Sequence, residues 1–399
     1  MSEDERCVIE AAVARILRAL NSHRFSGNSL LGGRMGRALL NANAIDSKIF
    51  DSPKLQRTFH SDLDQITEFS SYDNASYSTG IAGCLWFLSH LDRLRHIDKD
   101  EFIDNEVHDC FLRQAIQLLD QGNCDPMHGA IGYALFALEM CKLEQTQLLH
   151  TFIERLRDIA IIDEAGARWR SIPASPGHEM DSTINMGMAH GQAGIVAFLL
   201  KCRRRGIQTS ILNTLLHQST QFIMHTHVDF SRPDIPVKIP AAIINGKYNV
   251  GRKLAWCYGD LSSAYTAYRA ASLLKIADWK EKSLVILNGC ASDEYVESYP
   301  MKDASFCHGT AGTSYVFGKL FKETGSSEFK RASEKWLAAT LDFGDRGGRS
   351  AGFIYFNGKR MESNFGLLEG ISGIGLVLLA HLRKFEPEST CWDGCFYLN

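Results

Sequence analysis

One short segment occurs seven times in this chain of 399 residues. Each copy reads glycine, two further residues, then glycine or serine, and an apolar run follows it. The first glycines of the copies are Gly33, Gly80, Gly129, Gly191, Gly259, Gly309 and Gly370. They stand 47, 49, 62, 68, 50 and 61 residues apart, which is too long for one helix and fits a helical hairpin with variable loops. The repeat therefore predicts seven helical hairpins.

The helix after each glycine turn is apolar almost all round, as in residues 195–200 and 375–380, so we expect it to be buried on every side. The stretches between these runs are amphipathic, with apolar residues at three-to-four spacing and a charged face. Four clear examples are residues 8–20, 107–119, 147–159 and 329–341. The pattern predicts an all-α fold, an α/α toroid with an inner and an outer helix ring, as a single domain over residues 1–399.

Two of the longer intervals between glycine turns are rich in proline, which breaks helices. We expect loop insertions at about 166–183 and 229–250, at one end of the toroid, where loops commonly form a binding surface. A short strand pair within 229–249 is the alternative, because several residues there are β-branched. These residues are Val237, Ile239, Ile243 and Ile244.

Composition excludes some partners. A net charge of -3 gives no positive electrostatic field that would attract nucleic acid or an anionic membrane. The first six residues are charged rather than secretory in character, and no apolar run is long enough to span a bilayer. We therefore predict a cytoplasmic protein with no transmembrane segment and no nucleic-acid partner.

Two glycine turns place metal-binding side chains at the same phase of the repeat. They are Trp256-Cys257-Tyr258-Gly259 and Phe306-Cys307-His308-Gly309. Two thiols and an imidazole suit Zn²⁺, and three protein ligands leave a fourth tetrahedral position open, as in catalytic zinc sites. The pattern predicts one Zn²⁺ per chain, because no second set of comparable quality is present.

A zinc with two thiolate ligands is electron-rich, so it generates hydroxide poorly. Its better use is to hold a substrate thiol as thiolate at neutral pH, below the free cysteine pKa of about 8.5. The expected reaction is alkylation or addition at a thiol.

These two turns, the segment Met188-Ala189-His190-Gly191-Gln192-Ala193-Gly194 and the sevenfold repeat resemble the LanC family, the lanthipeptide cyclases. The resemblance covers nearly the whole chain. It implies an α/α toroid with zinc in its central cavity. The implied enzyme is a lanthionine synthetase that adds a peptide cysteine thiol to dehydroalanine or dehydrobutyrine, which forms a lanthionine or methyllanthionine thioether ring in antibiotic biosynthesis.

Matched motif by motif, the resemblance assigns roles to individual residues. Cys257, Cys307 and His308 match the zinc ligands, and Tyr258 matches a tyrosine beside the metal. His190 matches the acid/base residue, and Asp125 matches the acidic residue that orients it. His128 shares the position before the glycine but matches no role in the family pattern, so we expect it to line the cavity or to pack.

One position departs from the family pattern. The cyclases often carry an arginine four residues before the first cysteine ligand, where this chain has Lys253, preceded by Arg252. Lysine supplies a positive charge but lacks the planar fork that binds an enolate or carboxylate oxygen in two bonds. Either residue is a candidate for the cation that stabilises the enolate.

The resemblance implies a dehydrated precursor peptide with its leader as substrate, and a lanthipeptide dehydratase and an exporter as candidate partners that would bring the enzyme to a membrane. Other functions stay open from the sequence. A prenyltransferase-like toroid also uses zinc to alkylate peptide thiols, although the expected aspartate ligand is not evident. A third hypothesis is a non-catalytic LanC-like protein that binds zinc, thiols or peptides. A glycosidase would leave the metal set unused.

Overall fold

The computed structural model describes residues 2–50, 52–140, 147–171, 183–226, 238–250, 254–292, 301–345 and 350–399. Helices of two kinds alternate along these ranges. One kind follows a glycine turn and is buried almost all round, and the other is amphipathic. The alternation confirms the hairpin repeat that the glycine spacing predicts.

Each of the seven predicted glycine turns is followed directly by a buried helix. In the helix that follows Gly191, for example, every residue from Gln192 to Cys202 is buried. The buried helices are Arg34–Asp46, Ile81–Arg93, Ala130–Met140, Gln192–Arg204, Asp260–Leu274, Thr310–Thr324 and Ile371–Leu382.

The amphipathic helices precede the buried ones, and several begin at a side-chain cap. Ser2, Ser52 and Thr209 each accept a hydrogen bond from a backbone amide in the first turn. The four stretches expected to be amphipathic helices from their spacing all lie in this set. Its members are Glu3–Ser22, Pro53–Ile66, Asn105–Asp120, Gln147–Asp158, Ser210–His225, Ala277–Ala291 and Ser327–Phe343.

The glycine turns share a local structure that explains why glycine is required. In five of them an asparagine or aspartate six residues before the glycine accepts the amide of the residue two positions further on, an Asx turn. The turn folds back so tightly that a Cβ on Gly309 would lie 2.6 Å from Oδ1 of Asp303. The five residues are Asn74, Asn123, Asn185, Asp303 and Asn364.

The chain divides into two compact units. The first comprises residues 1–102 and 300–393. Its four buried helices pack side by side in the order Thr310–Thr324, Ile371–Leu382, Arg34–Asp46 and Ile81–Arg93. The N-terminal helix Glu3–Ser22 packs against Ile371–Leu382, so the two ends of this unit are held together by helix packing.

The second unit comprises residues 103–299 and 394–399. Its buried helices pack in the order Ala130–Met140, Gln192–Arg204 and Asp260–Leu274. The C-terminal residues are inserted here: the Tyr397 hydroxyl donates to the Pro126 carbonyl at 2.6 Å, and Trp256 Nε1 donates to the Phe396 carbonyl at 2.9 Å. The tail thus holds two of the glycine turns that carry predicted site residues.

Short strands occur where loop insertions are expected. Gly166–Arg168 pairs with Ile161–Asp163, and Ala242–Ile244 pairs with both Ile184–Asn185 and Lys247–Asn249, always antiparallel. The alternative of a strand pair is therefore correct for residues 242–249. Residues 172–182 and 227–237 of the two insertions lie outside the described ranges. A further pair, Tyr355–Phe356 with Met361–Glu362, has no counterpart in the sequence prediction.

Among the residues that the structure describes, no helix combines the length and the apolar character needed to cross a bilayer.

Candidate functional site

Five of the predicted site residues occupy two equivalent sequence positions of the glycine turns. Cys257 and Cys307 stand two residues before the first glycine of their turns, and His190, Tyr258 and His308 stand directly before it. Each of these side chains therefore stands just before a buried helix, although the backbone at Gly259 differs from that at Gly191 and Gly309 in having a positive φ of 101°.

Backbone hydrogen bonds join neighbouring turns at these same positions. The Cys257 carbonyl accepts the amides of Met188 and Ala189 at 3.0 and 3.4 Å, and the Cys307 amide donates to the Leu368 carbonyl at 2.9 Å. A Cβ on Gly187 would lie 2.6 Å from the Tyr258 ring, so glycine permits this close approach. The turns that carry His190 and Cys257 are thereby held in fixed register.

The predicted metal ligands come together. The sulfur atoms of Cys257 and Cys307 and a ring nitrogen of His308 all lie within 4.8 Å of one another. The two cysteines are 6% and 7% exposed, whereas the His308 side chain is 31% exposed. No other group of three such ligand side chains meets in the described part of the chain. Two buried thiols and a partly exposed imidazole fit a zinc ion with an open position.

His190 and Asp125 form the predicted pair. His190 Nδ1 donates to Asp125 Oδ2 at 2.9 Å, and Asp125 Oδ1 accepts the amides of Met127 and His128 at 2.7 and 2.8 Å. Both carboxylate oxygens are therefore used, so the carboxylate is fixed by its own turn. Nε2 of His190 is the nitrogen left for a reacting group, and 35% of the side chain is exposed.

Electrostatics favour the charged form of this pair. Burial lowers the pKa of His190, but the hydrogen bond and charge of Asp125 and the nearby Cys257 thiol outweigh it, so the pKa lies above its usual value. Burial raises the pKa of Asp125, and the bonds from His190 and the two amides reverse this, so the net pKa is lowered. A protonated His190 beside an ionised Asp125 can deliver a proton.

Tyr258 is half-buried and held by a polar contact. Asn185 Nδ2 donates to the Tyr258 hydroxyl at 3.1 Å, and the Tyr258 and His190 rings are 6.5 Å apart. His128 is exposed and stacks on His190, with ring centroids 5.5 Å apart and planes 14° apart. Partial desolvation by its neighbours lowers the pKa of His128, and the charge of His190 lowers it further against the opposing charge of Asp125. Both side chains therefore border the proton-transfer pair.

Three polar residues of the first unit lie beside His308 or beside one another and were not predicted from the sequence. Asp303 is 1% exposed, with Oδ2 3.8 Å from His308 Nε2, and the Tyr355 ring lies 5.7 Å from the His308 ring. Burial raises the pKa of the Tyr355 phenol, and its hydrogen bond to Glu369 raises it further. Glu369 stands directly before Gly370, the position that His190 and His308 hold in their turns, so the repeat itself could have identified it.

The two candidates for a cation cannot be placed. Arg252 and Lys253 both lie outside the described residues, which resume at Leu254.

Comparison with known proteins gives a family and a fold. A family model described as lanthionine synthetase C-like protein matches residues 9–397. A solved structure of nisin cyclase aligns with a TM-score of 0.74 at 19% identity, over 100% of this chain and 98% of that chain. The fold is therefore the predicted α/α toroid. An inactive variant of an α-1,6-mannanase from Salegentibacter aligns with a TM-score of only 0.43 at 10% identity, over 94% of this chain and 99% of that one.

Proposed function

The chain belongs to the lanthionine synthetase C-like family, and from this premise we propose that it is a zinc-dependent peptide cyclase. Its substrate would be a dehydrated precursor peptide. In the proposed reaction a cysteine thiol of the peptide adds to the β-carbon of dehydroalanine or dehydrobutyrine, a C–S bond replaces the C=C π bond, and a proton passes to the α-carbon. No oxidant or further reactant is needed.

The observation that carries the proposal is the meeting of Cys257, Cys307 and His308, whose ligand atoms lie within 4.8 Å of one another. A zinc ion held there would supply a Lewis acid that keeps a substrate thiol ionised at neutral pH. The ligand set suits that task, because sulfur ligands favour binding of a soft thiol over generation of hydroxide.

His190 would act on the other half of the reaction. When the thiol adds, negative charge develops on the carbonyl oxygen next to the α-carbon, and the enolate must be protonated. Asp125 holds His190 by Nδ1 and favours its protonated form, so Nε2 can donate a proton. Tyr258, whose hydroxyl is fixed by Asn185, would help to position the substrate beside this histidine.

The proposed activity can be tested by counting thiols. Ring formation leaves the mass of the peptide unchanged, so mass alone does not report it. We expect incubation of a dehydrated, cysteine-containing peptide with the protein to abolish reaction of the peptide with a thiol reagent. A peptide with the same cysteines and serine in place of each dehydroalanine is the control. Retention of all free thiols with the dehydrated peptide would contradict cyclase activity.

The same experiment separates the second candidate function. A non-catalytic LanC-like protein would bind zinc and the peptide but leave the thiol count unchanged.

Three other expectations from the sequence stay predictions. They are the single domain over residues 1–399, the dehydratase and exporter partners, and the cytoplasmic location.

One of Arg252 and Lys253 is expected to stabilise the developing enolate. The variants Arg252→Ala and Lys253→Ala should therefore differ, and the more damaging one should slow ring formation by about 10²-fold, as loss of one oxyanion donor does in other enzymes. Lys253→Arg is the matched variant, because it keeps the charge and adds the planar fork. Rates of thiol loss under single-turnover conditions would measure this, and equally small effects of both alanine variants would remove the cation from the mechanism.

A further inference from the structure

We propose that Asp303 is a positioning residue for His308. Its carboxylate lies 3.8 Å from Nε2, which is longer than a hydrogen bond but close enough to attract the Nε2–H side of the imidazole and so to orient Nδ1 toward the two thiols. The inference rests on the metal cluster of the proposed function. It concerns a residue that lies outside the ligand set and four residues before Cys307.

The repeat shows that a charge is not needed at this position for folding. In four other glycine turns the equivalent residue is an asparagine whose Oδ1 accepts the same backbone amide, at 2.9 to 3.2 Å. Asp303 Oδ1 makes the corresponding bond to the Ser305 amide at 2.8 Å. The Asx turn is thus formed equally well by an amide or a carboxylate, and the turn itself does not need the second oxygen of Asp303.

That second oxygen faces the metal-ligating histidine. Asp303 Oδ2 accepts the Phe356 amide at 3.0 Å and lies 3.8 Å from His308 Nε2. Asp303 is 1% exposed, and a buried carboxylate is costly unless donors surround it. Two backbone amides supply part of this compensation, and the imidazole Nε2 lies next to the same carboxylate at 3.8 Å.

The chemistry of a metal-bound imidazole requires such an acceptor. A histidine ligates through one neutral ring nitrogen, and the other nitrogen then carries a proton that must be hydrogen-bonded. A carboxylate at that place fixes the tautomer and the ring orientation and makes the ligating nitrogen more basic. Since Nε2 faces Asp303, Nδ1 is the nitrogen available to the metal.

The test is the zinc affinity of Asp303→Asn, measured by competition with a chelator of known affinity. We expect the Kd for zinc to rise by about 10- to 100-fold, as for loss of other hydrogen-bond partners of ligating histidines. Helical circular dichroism and the thermal midpoint should stay close to those of the unchanged protein, because asparagine completes the turn elsewhere in the chain. Asn74→Asp makes the reverse exchange in another glycine turn and should leave zinc affinity unchanged.

Asparagine would also lose the bond from the Phe356 amide, so a second comparison separates the two effects. In a His308→Cys background, which keeps a third zinc ligand but removes the imidazole, Asp303→Asn should have little further effect on zinc binding. An equal loss of affinity in both backgrounds would show a structural role only and overturn the proposal, as would an unchanged Kd in the single variant. Absence of zinc binding by the unchanged protein would instead contradict the metal assignment of the proposed function.

Discussion

Replacement of Cys307 by alanine is expected to abolish zinc binding and to slow ring formation by roughly 10³-fold or more, because Lewis-acid activation is worth several kcal/mol. The protein should nevertheless stay folded. Cys307 lies at the start of the buried helix Thr310–Thr324, whose packing against Ser327–Phe343 and Ile371–Leu382 does not involve the metal. A chain of this length buries enough apolar surface to be stable without a metal.

Elemental analysis of the purified variant, together with thiol counting, checks this expectation. Cys202→Ala is the matched control, because Cys202 is an equally buried thiol in the helix Gln192–Arg204 and lies outside the metal cluster. It should keep both zinc and activity. A large fall in helical circular dichroism in Cys307→Ala alone would instead make the metal structural.

Replacement of His190 by asparagine should keep zinc and thiol binding and slow ring formation by about 10²- to 10⁴-fold, the usual contribution of a general acid. Asp125→Asn should act in the same direction, since it removes the partner of Nδ1. If the two act as one unit, the double variant should be little slower than His190→Asn alone. Zinc loss in His190→Asn, or normal turnover in both single variants, would place the proton donor elsewhere.

The pH profile gives this pair a second, independent readout. A proton donor is lost as pH rises through its pKa, and Asp125 raises the pKa of His190. In Asp125→Asn the alkaline limb of the rate profile should therefore move to lower pH. A slower variant with an unmoved alkaline limb would show that Asp125 acts on something other than the protonation of His190.

The helical repeat could be predicted from the sequence because its cause is local. At six of the seven turns a Cβ on the first glycine would collide with the residues of its own turn, so the glycine that marks the start of the buried helix is required by local contacts alone. The metal ligands could be predicted for the same reason, since Cys257 and Cys307 hold the same position in two equivalent turns.

Features that depend on pairing between distant segments were harder to predict. The strand Ile184–Asn185 is paired only with Ala242–Ile244, which is far away in sequence. In the sequence Asp303 is equivalent to the asparagines that form the other Asx turns. Only the structure shows that its second oxygen accepts the Phe356 amide and lies near His308. Tyr355 could not be assigned to the site from the sequence, because it lies in a strand outside the helical repeat. Only the structure shows that its ring contacts His308.

The hydrogen bonds between neighbouring turns are made by main-chain atoms, so they do not depend on which side chains the turns display. Leu31 and Leu368 stand two residues before their glycines, as Cys257 and Cys307 do, and they make the same kind of backbone link. A turn can therefore exchange a leucine for a thiol, or a glutamate for an imidazole, while its attachment to the next turn persists. Chemistry at this centre can change by single substitutions, one turn at a time, without a new architecture.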